Sequence, residues 1–206
     1  MIVFITGASS GFGAEMARVF VGHGHQVVIT GRRRERLNEL AAELGELALP
    51  IEMDVTDKAS IEEALAHLPQ SWRQIDVLIN NAGLALGTQP AHTSALEDWE
   101  TMIATNCTGL VTMTRALLPD MVARGAGLVI NLGSTAGFYP YPGGNVYGAT
   151  RPSSTNLRSI CAPIWSVPAC ARPISRLACA AAPSFPMCVS RATTALPPRS
   201  TRAPSH

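Results

Sequence analysis

The chain has 206 residues, 47% of them hydrophobic and 15% charged, which is enough to bury the core of one α/β domain of ordinary size. Its net charge of +1 selects no nucleic acid or other charged partner. No apolar stretch reaches the roughly 18 residues of a membrane span, and the strand-like opening Met1–Thr6 lacks the basic and apolar regions of a secretory leader, so a cytoplasmic protein is expected.

The first 150 residues alternate short apolar runs with longer amphipathic ones. Strands are predicted at Ile2–Thr6, Gln26–Thr30, Leu47–Met53, Asp76–Asn80 and Leu128–Leu132. Helices are predicted at Gly13–Gly22, Arg34–Leu44, Ser60–Leu68, Ala95–Thr105 and Leu110–Arg124. In the second helix Glu35, Glu39 and Glu43 alternate with Leu37, Leu40 and Leu44, giving a wet and a dry face. Ser60 followed by Glu63 reads as a capping box. The strands are mostly continuously apolar, as parallel strands covered on both sides are. Strand–helix alternation at this spacing implies right-handed βαβ units in a doubly wound, Rossmann-like parallel sheet, with ligands at the carboxyl ends of its strands.

Thr6-Gly7-Ala8-Ser9-Ser10-Gly11-Phe12-Gly13 follows the first strand and opens a helix. Glycines there let the backbone approach a pyrophosphate, and the helix aims its first amides at the anion. A plain strand-to-helix turn is the competing reading, weakened by this position. The second strand ends at Gly31-Arg32-Arg33-Arg34. A site for NAD places an acidic residue about 20 residues beyond the glycines. Arginines suit a 2′-phosphate instead, which favours NADP. The rival reading of Arg32 and Arg33 is a solvated start to a helix.

Gly7-x3-Gly11-x-Gly13, Asp54-Val55, Asn80-Asn81-Ala82-Gly83, Asn106, Ser134 and Tyr147, in order, resemble the short-chain dehydrogenase/reductase family. Four segments ("TGRRRERLNEL", "NNAGLALG", "EDWETMIATN" and "GSTAGFYPYPGGNVYGAT") are similar to its NADP-dependent 3-hydroxy acid (serine/allo-threonine type) branch. The resemblance covers residues 1–150. It implies that Gly7, Ala8, Ser9, Ser10, Gly11, Phe12 and Gly13 hold the cofactor phosphates, and Arg32 and Arg33 the 2′-phosphate. Asp54 and Val55 would meet the adenine, and Asn81, with Ala82 and Gly83, the nicotinamide-side ribose. Ser134 would hydrogen-bond the substrate oxygen, and Tyr147 would be the general acid/base. Asn106 would hold a helix kink and a proton-relay water. Residue by residue, a strand-end cap, a packed aromatic and a polar turn residue are the rival readings of Ser134, Tyr147 and Asn106. The family's homotetramer would use the helices around Thr105–Arg124 and after Tyr147, and would be weakened by loss of the second.

A tyrosine side chain ordinarily titrates at about 10 and is a poor base at neutral pH. The family places a lysine four residues on, whose ammonium favours the tyrosinate and binds ribose hydroxyls. This chain has Arg151, which is planar and cannot shuttle a proton. Pro152 then disfavours helical geometry at Arg151 and, inside a helix, costs roughly 3 kcal/mol or more. Tyr147 and Arg151 are therefore not expected to share a helical face, and activity is expected to be impaired; the rival readings are a catalytically dead NADP-binding remnant and a chain that does not fold stably.

From residue 151 on, the composition switches. All 15 acidic residues lie at or before Asp120 and all 17 glycines at or before Gly148. Residues 151–206 hold seven Arg, nine Pro and four of the five Cys, so the net charge is −6 before the switch and +7 after it. Residues 151–158 can be encoded by AGG CCT TCG TCC ACC AAT TTA CGC. One extra A before that string yields Lys-Ala-Phe-Val-His-Gln-Phe-Thr, restoring the lysine and a helix, and further on the missing glycines, acids and lysines return. A one-nucleotide deletion at codon 151 is the expected origin. Cys161, Cys170, Cys179 and Cys188 recur every nine residues, but without a CxxC pair or a nearby histidine they indicate no zinc. The scattered arginines read as a disordered basic tail rather than a nucleic-acid surface.

Overall fold

A computed structural model describes residues 1–151. The order is β1 (Ile2–Ile5), α1 (Gly11–Gly22), β2 (Gln26–Gly31), α2 (Arg34–Leu44), β3 (Ala48–Glu52), α3 (Lys58–Ala66), β4 (Val77–Asn80), α4 (Leu96–Ile103), α5 (Leu110–Arg124), β5 (Leu128–Asn131) and α6 (Asn145–Thr150). The disordered tail is expected over residues 151–206; Arg151 has helical backbone angles, and residues 152–206 lie outside the described residues.

The sheet order is β3-β2-β1-β4-β5, and every neighbouring pair is parallel. This is the doubly wound α/β sheet that the alternation of runs predicts. In β1, Ile2 and Phe4 enter one core with Met53, Ile61, Leu78, Met113 and Leu117, the side covered by α3 and α5. Val3 and Ile5 enter the other with Ala17, Phe20, Leu37, Leu40 and Ile79, the side covered by α1 and α2. A central strand thus has no wet face, which is why its residues are apolar in unbroken succession. Each large side chain buried this way contributes about 1.5–3 kcal/mol.

Strand order reverses between β1 and β4, so the loops leaving these strands part and open a crevice at their carboxyl ends. On one flank β3 is an outer strand and carries Pro50 at its centre, a residue that a sheet tolerates at an edge because it offers no ladder donor.

The capping box expected at Ser60 is not formed. Helix α3 starts at Lys58, and the Asp57 carboxylate accepts from the Ala59 N–H at 2.9 Å. Aspartate is an equally good cap and arrives three residues sooner. Ser60 therefore falls in the first turn, where its hydroxyl accepts from the Asp54 N–H at 3.0 Å. Between α4 and α5 the chain does not break. Residues Ala104–Gly109 wind as a π-helical turn, a form that concentrates at functional sites. Among the described residues no helix is long and apolar enough to cross a membrane.

Candidate active site

The loop from β1 to α1 is built to lie flat. Gly7 has φ +66°, and a Cβ there would sit 2.8 Å from the Ala82 Cα. A Cβ on Gly13 would sit 2.5 Å from the Asn81 Nδ2. Any side chain at either place would therefore push the loop off β4. The Ala8 N–H fastens the loop to β2 through the Thr30 carbonyl at 2.8 Å. At Gly11 the missing Cβ points into open space. Ser10, just before α1, makes no side-chain cap, so the first-turn amides and the positive end of the helix dipole stay available to an anion. The half-exposed Phe12 stands beside them. These features suit a pyrophosphate.

Sequence reasoning missed the residue that joins this loop to β4. Thr6 is 1% exposed. Its hydroxyl accepts from the N–H groups of Asn81 (3.1 Å) and Ala82 (3.0 Å) and lies 3.4 Å from the Ile79 carbonyl. Asn81 answers with its side-chain amide, which donates to the Thr6 carbonyl at 2.8 Å and the Gly7 carbonyl at 3.0 Å. The side-chain nitrogen of Asn81 is thus spent on the loop. A buried threonine closing an apolar strand was the available signal.

On the β2 side, Arg33 Nη2 lies 2.8 Å from both Ser9 Oγ and Ser10 Oγ, with Nε 3.3 Å from Ser9 Oγ. Its guanidinium is thereby drawn onto the rim of the loop. Arg32 is exposed, and Arg34 leans to Glu52 at 3.8 Å in an exposed pair. Beyond β3, Asp54 accepts from the Thr56 N–H (2.9 Å) and hydroxyl (2.8 Å). Val55 is buried, and its carbonyl would lie 2.7 Å from a Cβ on Gly109.

The other half of the crevice belongs to β4, β5 and α6. Ser134 follows β5, and its Oγ accepts from the Ala136 N–H at 3.2 Å, opening the turn Thr135–Gly137. Helix α6, which carries Tyr147, packs on that turn, since a Cβ on Gly148 would sit 2.9 Å from the Ala136 carbonyl. Asn106, in the π turn, ties the pieces together. It accepts from the Leu84 N–H (2.9 Å) and donates to the Leu84 carbonyl (2.9 Å) and the Thr150 hydroxyl (3.0 Å). The Thr150 hydroxyl in turn donates to the Tyr147 carbonyl at 2.8 Å. Asn106 sits inside the π-helical turn Ala104–Gly109.

The expected separation of Tyr147 and Arg151 does not occur. Arg151 keeps helical angles (φ −81°, ψ −27°) and bonds to the Gly148 carbonyl at 3.3 Å. Its guanidinium carbon lies 4.8 Å from the centroid of the Tyr147 ring, and its Nη1 lies 3.5 Å from the Leu132 carbonyl. The residue before a proline is biased away from the helix, not barred from it. A cation over an aromatic face contributes about 0.5–2 kcal/mol, enough to offset such a bias.

The profile of the short chain dehydrogenase family matches residues 1–159. The NADP-dependent 3-hydroxy acid dehydrogenase of Salmonella typhi is 60% identical over 163 residues, covering 77% of this chain and 66% of that protein. The serine 3-dehydrogenase of Agrobacterium fabrum is 55% identical over 161 residues, covering 76% and 64%. Among solved structures, the closed form of serine dehydrogenase complexed with NADP+ superposes with a TM-score of 0.76 at 57% identity, covering 78% of this chain and 66% of that one. The chain therefore spans slightly less than two thirds of the length of these relatives.

Proposed function

The chain belongs to the short-chain dehydrogenase/reductase family, and from that premise we propose that it is an NADP-dependent oxidoreductase of a small 3-hydroxy acid, with turnover well below that of its relatives. Serine, allo-threonine and 3-hydroxypropionate are the substrates considered, with the matching semialdehyde or ketone in reverse. The names of the similar proteins support this substrate class. The observation that carries the cofactor choice is the Arg33 guanidinium resting on Ser9 and Ser10. A 2′-phosphate at that rim would meet a fixed cation and two hydroxyls, whereas the 2′-hydroxyl of NAD would meet no acid.

Bound NADP supplies the hydride acceptor at its nicotinamide. The residues of the chain handle the rest. The amides at the start of α1 and the Gly7–Gly13 backbone hold the pyrophosphate, and Asp54 and Val55 flank the adenine. Ser134 already accepts from Ala136, which leaves its O–H to donate to the substrate oxygen. As the hydride leaves the carbinol carbon, the hydroxyl proton passes to the Tyr147 oxygen. Arg151 supplies charge beside Tyr147 but cannot relay that proton onward, and this limits the rate.

The test is NADPH formation from NADP+ with serine or 3-hydroxypropionate on the full chain. Slow turnover that Tyr147→Phe abolishes, with NADPH binding retained, is expected. Turnover as fast as that of a full-length relative would overturn the impairment, and failure to bind NADPH would overturn the cofactor reading. A one-nucleotide deletion at codon 151 accounts for both the arginine and the switch in composition. Resequencing the gene there, and finding no shift relative to the genes of the relatives, would overturn that origin. The exposed Ile103, Val111 and Val122 of α4 and α5 favour self-association through these helices.

A further inference from the structure

Resting on the NADP reading, we infer that this chain holds the cofactor almost entirely by its adenosine 2′,5′-bisphosphate end, because Arg151 fills the seat of the nicotinamide half. A dinucleotide lies across the crevice where the strand order reverses. With the pyrophosphate at the start of α1, one mononucleotide falls on the β2–β3 side, where Arg33, Asp54 and Val55 stand. The other can lie only over the carboxyl ends of β4 and β5, on Gly83 and beside Leu132.

That floor is covered. A Cβ on Gly83 would lie 2.7 Å from Arg151 Nη2 and 2.9 Å from Nη1, so the guanidinium rests directly against the bare glycine backbone. Nη1 also reaches the Leu132 carbonyl at 3.5 Å, so one planar group spans the tops of β4 and β5. The Tyr147 ring stacks on it at 4.8 Å. A ribose and its pyridine ring need this volume. They enter only in the minor form that expels the guanidinium and loses its contacts with Tyr147 and Leu132, the form that carries the slow turnover, and otherwise remain outside in water. Among the described residues the adenosine side shows no such obstruction. Its rim cation is already drawn to Ser9 and Ser10, and the space in front of Gly11 is open.

Isothermal titration of the full chain with NADP+, adenosine 2′,5′-bisphosphate and nicotinamide mononucleotide tests the inference. The bisphosphate should bind within about threefold of NADP+, a difference under ~0.7 kcal/mol. The mononucleotide should not bind, and the nicotinamide fluorescence of bound NADPH should stay that of the free form. In Arg151→Ala, NADP+ should become about tenfold tighter than the bisphosphate. Arg151→Met, which keeps a slender apolar stem, serves where the alanine chain does not fold. An unsubstituted chain that binds NADP+ about tenfold or more tighter than the bisphosphate, or that enhances NADPH fluorescence, overturns the inference while leaving the cofactor reading intact. Binding of neither NADP+ nor the bisphosphate overturns both.

Discussion

Replacing Thr6 with valine keeps the shape of the side chain and removes its hydroxyl. The Ala82 N–H, now 3.0 Å from that oxygen, then faces a methyl group, while the Asn81 N–H keeps the Ile79 carbonyl at 3.0 Å. A stranded amide costs about 1–3 kcal/mol, and the lower part of that range applies to a group that is only partly buried. The loss is about 1–2 kcal/mol. For a folded unit of about 150 residues each kcal/mol moves the melting point by about 2–4 °C, so Thr6→Val should melt about 2–8 °C lower. Thr6→Ser keeps the oxygen and should recover most of the loss. Circular dichroism melts of the three proteins, side by side, provide the measurement. Because the same bonds seat the phosphate loop on β4, NADPH binding should weaken in parallel with the melting point. A valine protein that melts within about 1 °C of its parent would refute the claim that Thr6 joins β1 to β4.

Arg33→Gln should weaken NADPH about 10–100-fold, the worth of one charge-assisted contact of about 1.5–3 kcal/mol, and leave NADH nearly unchanged. Equal losses for the two cofactors, measured by fluorescence titration, would remove Arg33 from the 2′-phosphate. Asn106→Ala strands the Leu84 N–H and releases Thr150, so it should destabilise by about 2–4 kcal/mol. It should also speed amide exchange at the Gly148–Arg151 end of α6, and unchanged exchange there would argue against the strap. Burial, aided by the N-terminal ammonium and His23, holds the His25 imidazole below its usual 6.5. The unfolded chain then takes up that proton first as pH falls. Stability is therefore full above about 6.5 and declines in the window just below it, and His25→Phe should flatten that decline in urea titrations. An unaltered slope would place the proton uptake elsewhere.

The sheet was legible because its strands carry their own answer. A run such as Ile2-Val3-Phe4-Ile5 has no polar partner to spare for water, and only a strand covered on both faces uses such a run. The arginine rim and the glycine loop were legible for a related reason, since charge type and missing Cβ atoms act locally. What escaped the sequence depended on contacts across the chain. Thr6 meets Asn81, and Asn106 meets Leu84 and Thr150, over separations that no local pattern encodes. The start of α3 was misjudged because two good caps compete within three residues, and the Asp57 carboxylate takes the Ala59 N–H while the Ser60 hydroxyl is engaged by the Asp54 N–H. Arg151 was misjudged because the proline rule is a bias in one dihedral, whereas the stack on Tyr147 is a tertiary contact.

The two flanks of the sheet are not equally guarded against unwanted partners. On one, Pro50 withholds a donor from the middle of the outermost strand, so a second polypeptide cannot zip along it without a gap. On the other, Leu128-Val129-Ile130-Asn131 is the outermost strand among the described residues and contains no proline. Among the described residues β5 is therefore the flank more open to a foreign strand, and a lysine placed there would guard it better than any change at β3.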